Sequence, residues 1–334
     1  MRKAFTFDDV ALVPQFNNIP SRLEPTLESW LTKDIKMHMP ILAANMDTVM
    51  CDDLADIIIT NGSVPIFHRF TGLETQKTWI KKYGKKMFIS CGILNIGEIQ
   101  ELLDLGPAGV CVDIAHGHSD RMMKFIEEIK TSHPDIEVIA GNVCTPMAYH
   151  DLVNAGADAV KVGVGPGAAC TTRIVTGFGV PQFTAIKECA SIADKLRVPM
   201  IADGGIRNSR DLVLALAAGA SSVMIGKLFA LTKESAAPKR EAKNLAGLEA
   251  KYRGQASEDF QVDYYGNVKK DTVPEGINFW APVSGTAQEL INNLLGGLRS
   301  GLTYGGARSI KELQRKAEFV EVTHSYMTES NPRQ

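Results

Sequence analysis

The segment Lys161-Val-Gly-Val-Gly-Pro-Gly-Ala-Ala-Cys-Thr-Thr-Arg173 joins an apolar run to a glycine-rich turn ending on one cysteine and two threonines. Gly163, Gly165, Gly167 and Pro166 free the backbone to leave the usual L-residue wells and to approach a ligand or ion closely. A cysteine closing such a loop, partly exposed among amide dipoles, suits a thiolate nucleophile. A tight turn carrying an incidental cysteine is the plain alternative. Asp203-Gly-Gly-Ile-Arg207 sets a carboxylate, able to accept from a ribose diol, beside Gly205, whose N–H can meet a phosphate. Asp113 closes another apolar run, either as a rim carboxylate or as a helix N-cap. His68, His116 and His118 lie on separate segments and do not form a metal-ligand pattern.

These residues need elements to hold them, and the chain supplies a repeat. Short β-rich apolar runs recur at Ile41–Ala44, Val64–Phe67, Met87–Ser90, Gly109–Val112, Ile136–Ile139, Ala159–Val162, Pro199–Ala202 and Ser222–Ile225. Helical apolar spacing fills the gaps, as at Ile96–Leu105, Met122–Ile129 and Ser209–Ala217. Strands apolar on both faces and separated by helices read as parallel and fully buried. Eight βα units predict a closed (β/α)8 TIM barrel in one domain, with a doubly wound open sheet as the alternative. A barrel gathers Asn45, His68, Asp113, Asn142, Cys170, Asp203 and Gly226 on one rim, where barrel active sites form. The longest gap, after strand six, holds Cys170 and reads as a functional loop. Asp203 and Gly226 end strands seven and eight, where barrels recurrently bind phosphate, so a nucleoside monophosphate is expected there.

Composition narrows the partners. The chain has 334 residues, 45% hydrophobic and 22% charged, with a formal net charge of −2. That gives a large core and no cationic footprint for nucleic acid. No run is long and apolar enough for a signal peptide or membrane span. The six cysteines form no CxxC pair and read as reduced, cytoplasmic thiols.

Taken together, Thr6-Phe-Asp-Asp9, Ala44-Asn-Met-Asp-Thr-Val49, Asp113-Ile-Ala-His-Gly-His-Ser119, Ala140-Gly-Asn-Val143, the glycine-cysteine loop, Ala202-Asp-Gly-Gly-Ile206, Tyr252-Arg-Gly254 and Gly296-Gly-Leu-Arg-Ser300 resemble the IMP dehydrogenase/GMP reductase family over essentially the whole chain. The resemblance implies a barrel with a flap after strand eight, a homotetramer, and Cys170 attacking purine C2. Asp203, Gly204, Gly205, Gly226, Lys227, Gly254, Gln255, Ala256 and Gly276 would hold the nucleotide. Asp113, Ile114, Ala115, Val164 and Gly165 would meet a nicotinamide cofactor. Ser21, Arg22, Ser300, Gly301, Leu302 and Thr303 would reach it too, some from a neighbouring subunit. The backbone carbonyls of Gly165, Gly167, Cys170 and Arg173 would hold K⁺. Lys227 stands where both branches of the family usually carry a small residue.

Within the family the chain looks most like the GMP reductases of purine nucleotide salvage. His68-Arg-Phe-Thr runs directly into Gly72-Leu-Glu-Thr-Gln76, leaving no room for the paired regulatory (CBS) domains usual in the dehydrogenases. No Arg-Tyr dipeptide, the pair that activates water in a dehydrogenase flap, occurs in the sequence. Asn45, Cys170-Thr-Thr-Arg173 and Thr176-Gly-Phe-Gly179 look reductase-like, whereas Val273-Pro-Glu-Gly-Ile277 and Arg299-Ser-Gly301 look like dehydrogenase segments. The expectation is NADPH-dependent reductive deamination of GMP to IMP, with Thr172 and Glu275 handling the proton and Arg22 meeting the cofactor 2′-phosphate. An IMP dehydrogenase without the insertion, or a non-catalytic purine-nucleotide sensor, remain the other readings.

Overall fold

A computed structural model describes residues 1–242, 247–268 and 270–332. Eight parallel strands form the central sheet: β1 (Ile41–Ala43), β2 (Ile66–Phe67), β3 (Phe88–Cys91), β4 (Gly109–Asp113), β5 (Glu137–Val143), β6 (Ala159–Val162), β7 (Met200–Asp203) and β8 (Ser222–Ile225). Their ladder runs in sequence from β2 to β8 and then pairs β8 with β1. This cyclic order, with helices outside, is the (β/α)8 barrel of a single domain. Every expected strand is present, two with the expected bounds and most of the others shifted by a residue or two. The main extension is β5, which carries Gly141, Asn142 and Val143 beyond the apolar run.

Burial explains the strand composition. Residues facing the inside of the barrel, among them Leu42, Ile66, Phe88, Cys111, Ile201 and Met224, form one apolar cluster. Those facing outward join the helices in a second, larger cluster. Both faces of each strand are therefore buried, as a parallel sheet requires. Several helices start where short polar side chains cap them. Ser119 accepts from Met122 N at the start of the helix Asp120–Ser132, and Asn208 accepts from Asp211 N at the start of the helix Ser209–Ala218. The caps are thus Ser119 and Asn208, which leaves Asp113 and Asp203 free for other work.

Three departures from a plain barrel shape the site. The ladder between β5 and β6 shifts register between Gly141 and Val143, and such an irregularity re-aims the side chain within it. The segment from Gly163 to Pro181 forms a long rim loop with one short helix, Thr172–Thr176. Beyond β8 a three-stranded antiparallel sheet (Lys239–Glu241, Leu248–Arg253, Asn278–Pro282) and a helix, Glu258–Tyr265, make the flap. Between β2 and the helix Leu73–Tyr83 only His68 to Gly72 intervene. Among the described residues no helix is long and apolar enough to cross a membrane.

Candidate active site

A cavity of about 670 Å³ opens on the rim, lined by the glycine-cysteine loop, the ends of β7 and β8, and the flap. That volume suits a small ligand such as a nucleotide. Of the expected residues, Cys170, Thr172, Glu275, Asp203, Gly204, Gly205, Gly226, Lys227, Gly254, Gln255, Ala256 and Ala115 all line it. Burial pushes Cys51, Cys91, Cys111, Cys144 and Cys189 above the usual thiol range, Cys111 and Cys189 to about 12. Cys170 is the cysteine that faces the cavity.

The flap and the loop are stitched together around that thiol. Thr171 N–H donates to the Glu275 carbonyl at 3.0 Å, and Ile277 N–H donates to the Ala169 carbonyl at 3.0 Å. Gly276 also forms isolated bridges with Cys170 and Ser257. The backbone thus delivers Glu275 to the nucleophile's neighbour Thr172 from 103 residues downstream. The Cys170 thiol meets the Thr172 hydroxyl at 3.2 Å, and that hydroxyl donates to Glu275 Oε2 at 2.7 Å. A thiol, a hydroxyl and a carboxylate in series can carry a proton between the cavity and the flap.

The side of the cavity expected to meet a nucleotide is built from backbone open to close approach. Gly204 and Gly205 have φ of +89° and +84°, a region L side chains rarely adopt. Asp203 beside them accepts from Asn142 Nδ2 at 2.9 Å and from Lys161 Nζ at 3.0 Å. Tyr252 is buried against Gly226 and Met46, and burial raises its phenol well above the usual range. Lys227 is exposed at the mouth, its ammonium 5.4 Å from the Phe279 ring centroid. Arg207, also at the cavity wall, is held by Asp8 and Asp211.

The expected cofactor residues divide into two groups. Asp113, Ile114 and Ala115 sit on the rim, with Asp113 bonded to Asn45 at 2.8 Å and paired with Lys161 at 3.2 Å. Burial drives the Asp113 carboxyl up, but the Lys161 charge and the hydrogen bonds from Asn45 and Lys161 outweigh it and hold it below the ordinary value. Val164 is buried, and its carbonyl accepts from Arg173 Nε at 3.3 Å. Ser21, Arg22 and Ser300 to Thr303 are not among the residues lining the cavity. Arg22 instead donates to Ser300 Oγ at 3.2 Å on the outer face of the helix Ala287–Tyr304. A Cβ on Gly301 would lie 2.7 Å from Val213, and Leu302 is fully buried. Within one subunit these two positions face the core, because that helix packs on the helix Ser209–Ala218.

For a monovalent cation the loop offers neutral carbonyl oxygens, the donor type hard cations take. Those of Gly167 and Arg173 each accept one amide, from Cys170 at 3.0 Å and Gly177 at 3.1 Å, which leaves each a second lone pair. The donor chemistry of these two carbonyls suits such an ion. Among the described residues no group of three or more His, Cys, Asp or Glu could hold a metal.

Two features escaped the sequence reading. Lys161, 1% exposed inside β6, bridges Asp113 and Asp203; its signal was a charge in an otherwise apolar strand, Ala159-Val-Lys-Val162. Arg253 ties Asp47, Asp259 and Asp263 together beneath the flap. The flap's Tyr264 and Tyr265 pack with Phe260, and Tyr264 also with Phe70.

His68 is 8% exposed, edge-on to Trp79, and burial lowers its pKa to about 4 against the push of Asp47. Below its ordinary pKa of about 6.5 the unfolded chain binds a proton that folded His68 refuses until about pH 4. Its contribution is thus full above about pH 6.5 and falls by about 3 kcal/mol on acidification to about pH 4. Chemical unfolding of wild type and His68→Gln at about pH 7 and about pH 4.5 should show the wild type losing more stability, and parallel losses would exclude this role.

A model of the IMP dehydrogenase / GMP reductase domain family matches residues 4–333. The inosine-5'-monophosphate dehydrogenase of Borreliella burgdorferi is 36% identical, covering 99% of this chain and 97% of that protein. That of Cryptosporidium parvum is 37% identical, over 98% and 94%. That of Aquifex aeolicus is 48% identical, over 79% of this chain and 57% of its own length. All three carry dehydrogenase names, which back the dehydrogenase alternative better than the expected reductase branch.

Proposed function

The chain belongs to the IMP dehydrogenase/GMP reductase family of oxidoreductases, and on that premise we propose that Cys170 works covalently at C2 of a purine nucleoside monophosphate, in the direction of reductive deamination of GMP. The observation that carries this reading is the chain from Cys170 through Thr172 to Glu275 inside the cavity.

Cys170 adds to C2 of GMP, and the 2-amino group departs as ammonia once it receives a proton. As Cys170 adds, its proton passes through Thr172 to Glu275, and it returns along the same path to the amine, leaving a thioimidate on Cys170. A bound reduced nicotinamide, NADPH in this reading, supplies hydride to C2. Cys170 then leaves as thiolate and IMP is released. Asp203 accepts from the ribose diol, the Gly205 and Gly226 backbone and the Lys227 ammonium meet the phosphate, and Asp113 to Ala115 meet the nicotinamide ribose. The loop carbonyls would hold K⁺ beside this machinery. Arg22 and Ser300 would contribute from a neighbouring subunit of a homotetramer, since neither lines its own cavity.

The second reading is NAD-dependent oxidation of IMP, favoured by the names of the relatives. It needs a group that activates water against the same adduct. The flap's two arginines, Arg240 and Arg253, are both paired with carboxylates, which supports the reductase direction.

Absorbance of the reduced nicotinamide separates the two. GMP with NADPH should give oxidation and release ammonia, while IMP with NAD⁺ should stay silent, each run with and without K⁺. Steady reduction of NAD⁺ by IMP would make the chain a dehydrogenase. Silence in both would leave a nucleotide-binding barrel.

A further inference from the structure

A lysine sealed inside a barrel is costly unless its charge is fully answered. Lys161 is 1% exposed, and its ammonium reaches Asp203 at 3.0 Å and Asp113 at 3.2 Å, with Met224 Sδ at 3.8 Å. Lys161 stays charged: burial opposes the ammonium, but Asp113 and Asp203 outweigh it and raise its pKa. The surroundings are built for this arrangement. A Cβ on Gly141 would lie 2.6 Å from Lys161 Cβ, so glycine there makes space for the side chain. Asn142, at the register shift of β5, donates to Asp203, and Asn45, itself bonded to Ser90, donates to Asp113. Each carboxylate therefore has one neutral amide donor of its own and a share of one common cation.

We propose that Lys161 is a positioning residue that aims both the nucleotide-side carboxylate of Asp203 and the cofactor-side carboxylate of Asp113, so that the two substrate sites share one buried charge. The inference rests on the proposed function only in taking Asp203 as the nucleotide contact and Asp113 as the cofactor contact; it holds for either direction of the redox reaction. The buried site carries two negative charges and one positive. Without the ammonium, two close carboxylates face each other in a poorly solvated space, and both lose their aim.

The test uses the full chain and three variants: Lys161→Met, Asp113→Asn, and the pair together. Kinetics are followed in whichever reaction the wild type runs, and binding of GMP and IMP is measured directly by titration calorimetry. Lys161→Met should raise KM for nucleotide and for cofactor together, each by about tenfold or more, the scale of one charge-assisted hydrogen bond. A merely structural loss would lower the active fraction and leave both KM values in place. Adding Asp113→Asn restores the wild-type charge count and should recover part of the lost nucleotide affinity, although the side chain at position 113 touches no nucleotide. If Lys161→Met does not fold, the double variant should still bind nucleotide more weakly than Asp113→Asn alone. Unchanged KM values in Lys161→Met, absence of rescue, or equal nucleotide binding in the last comparison would overturn the inference. Failure of the wild type to bind either GMP or IMP would instead overturn the proposed function.

Discussion

Cys170→Ala should abolish turnover while leaving nucleotide binding within a few fold of wild type. The thiol faces the cavity, but the proposed ribose and phosphate contacts lie at the ends of β7 and β8 and on the flap, which also line it, so its removal takes away the bond-forming atom and little of the binding surface. Loss of a covalent nucleophile leaves only orientation and binding, and the rate should fall by several orders of magnitude. Titration of GMP and IMP into the variant, set beside its steady-state rate, provides the check. More than about a tenth of wild-type activity would sink the covalent mechanism. An unfolded variant is not expected, because Cys170 lies on a rim loop outside both main apolar clusters.

The sequence made the barrel legible because a parallel strand buried on both faces has almost no freedom of composition. The runs at Ala159–Val162 and Ser222–Ile225 coincide with β6 and β8. Strand ends were harder to place. Asn142 continues β5 because a register shift lets a polar residue sit in the ladder, and no local pattern announces that. The cavity residues of the glycine-cysteine loop and of Asp203–Gly205 were readable, since their types already carry the chemistry. Glu275 was reachable only through the family resemblance: 103 residues separate it from Thr172, and backbone pairing at Thr171 and Ile277 joins them. Lys161 was visible as a letter and not as a role, because what makes it meaningful is the convergence of β4, β6 and β7 on one point. The expected cofactor residues Ser300 to Thr303 show the limit of periodicity. Helical periodicity says that such residues share a helix, but not that Leu302 turns into the core.

Glu275→Gln should divide the reaction into its two chemical steps. If Glu275 feeds a proton through Thr172 to the departing amine, the amide keeps the hydrogen-bonding shape of the 2.7 Å contact but cannot take up a proton and give it back. The forward reaction, GMP with NADPH, should then fall by roughly 10²–10⁴, the range for loss of a general acid. Hydride transfer does not pass through Thr172. IMP with NADP⁺ should therefore still give a single turnover of reduced cofactor, stopping at the Cys170 adduct. Stopped-flow absorbance of the reduced cofactor reads this burst, and steady-state ammonia release reads the forward loss. In a chain that oxidises IMP instead, the burst with NAD⁺ should survive and the steady-state rate should drop, because the same carboxylate would be withheld from water. Thr172→Val should copy the Glu275→Gln pattern, since it removes the hydroxyl between carboxylate and thiol while keeping the branched shape. Equal damage to burst and steady state would mean that Glu275 positions the flap through its backbone neighbours rather than moving a proton. No damage to either would reduce it to a partly buried carboxylate beside the site, and the proton relay would have to be sought elsewhere on the cavity wall.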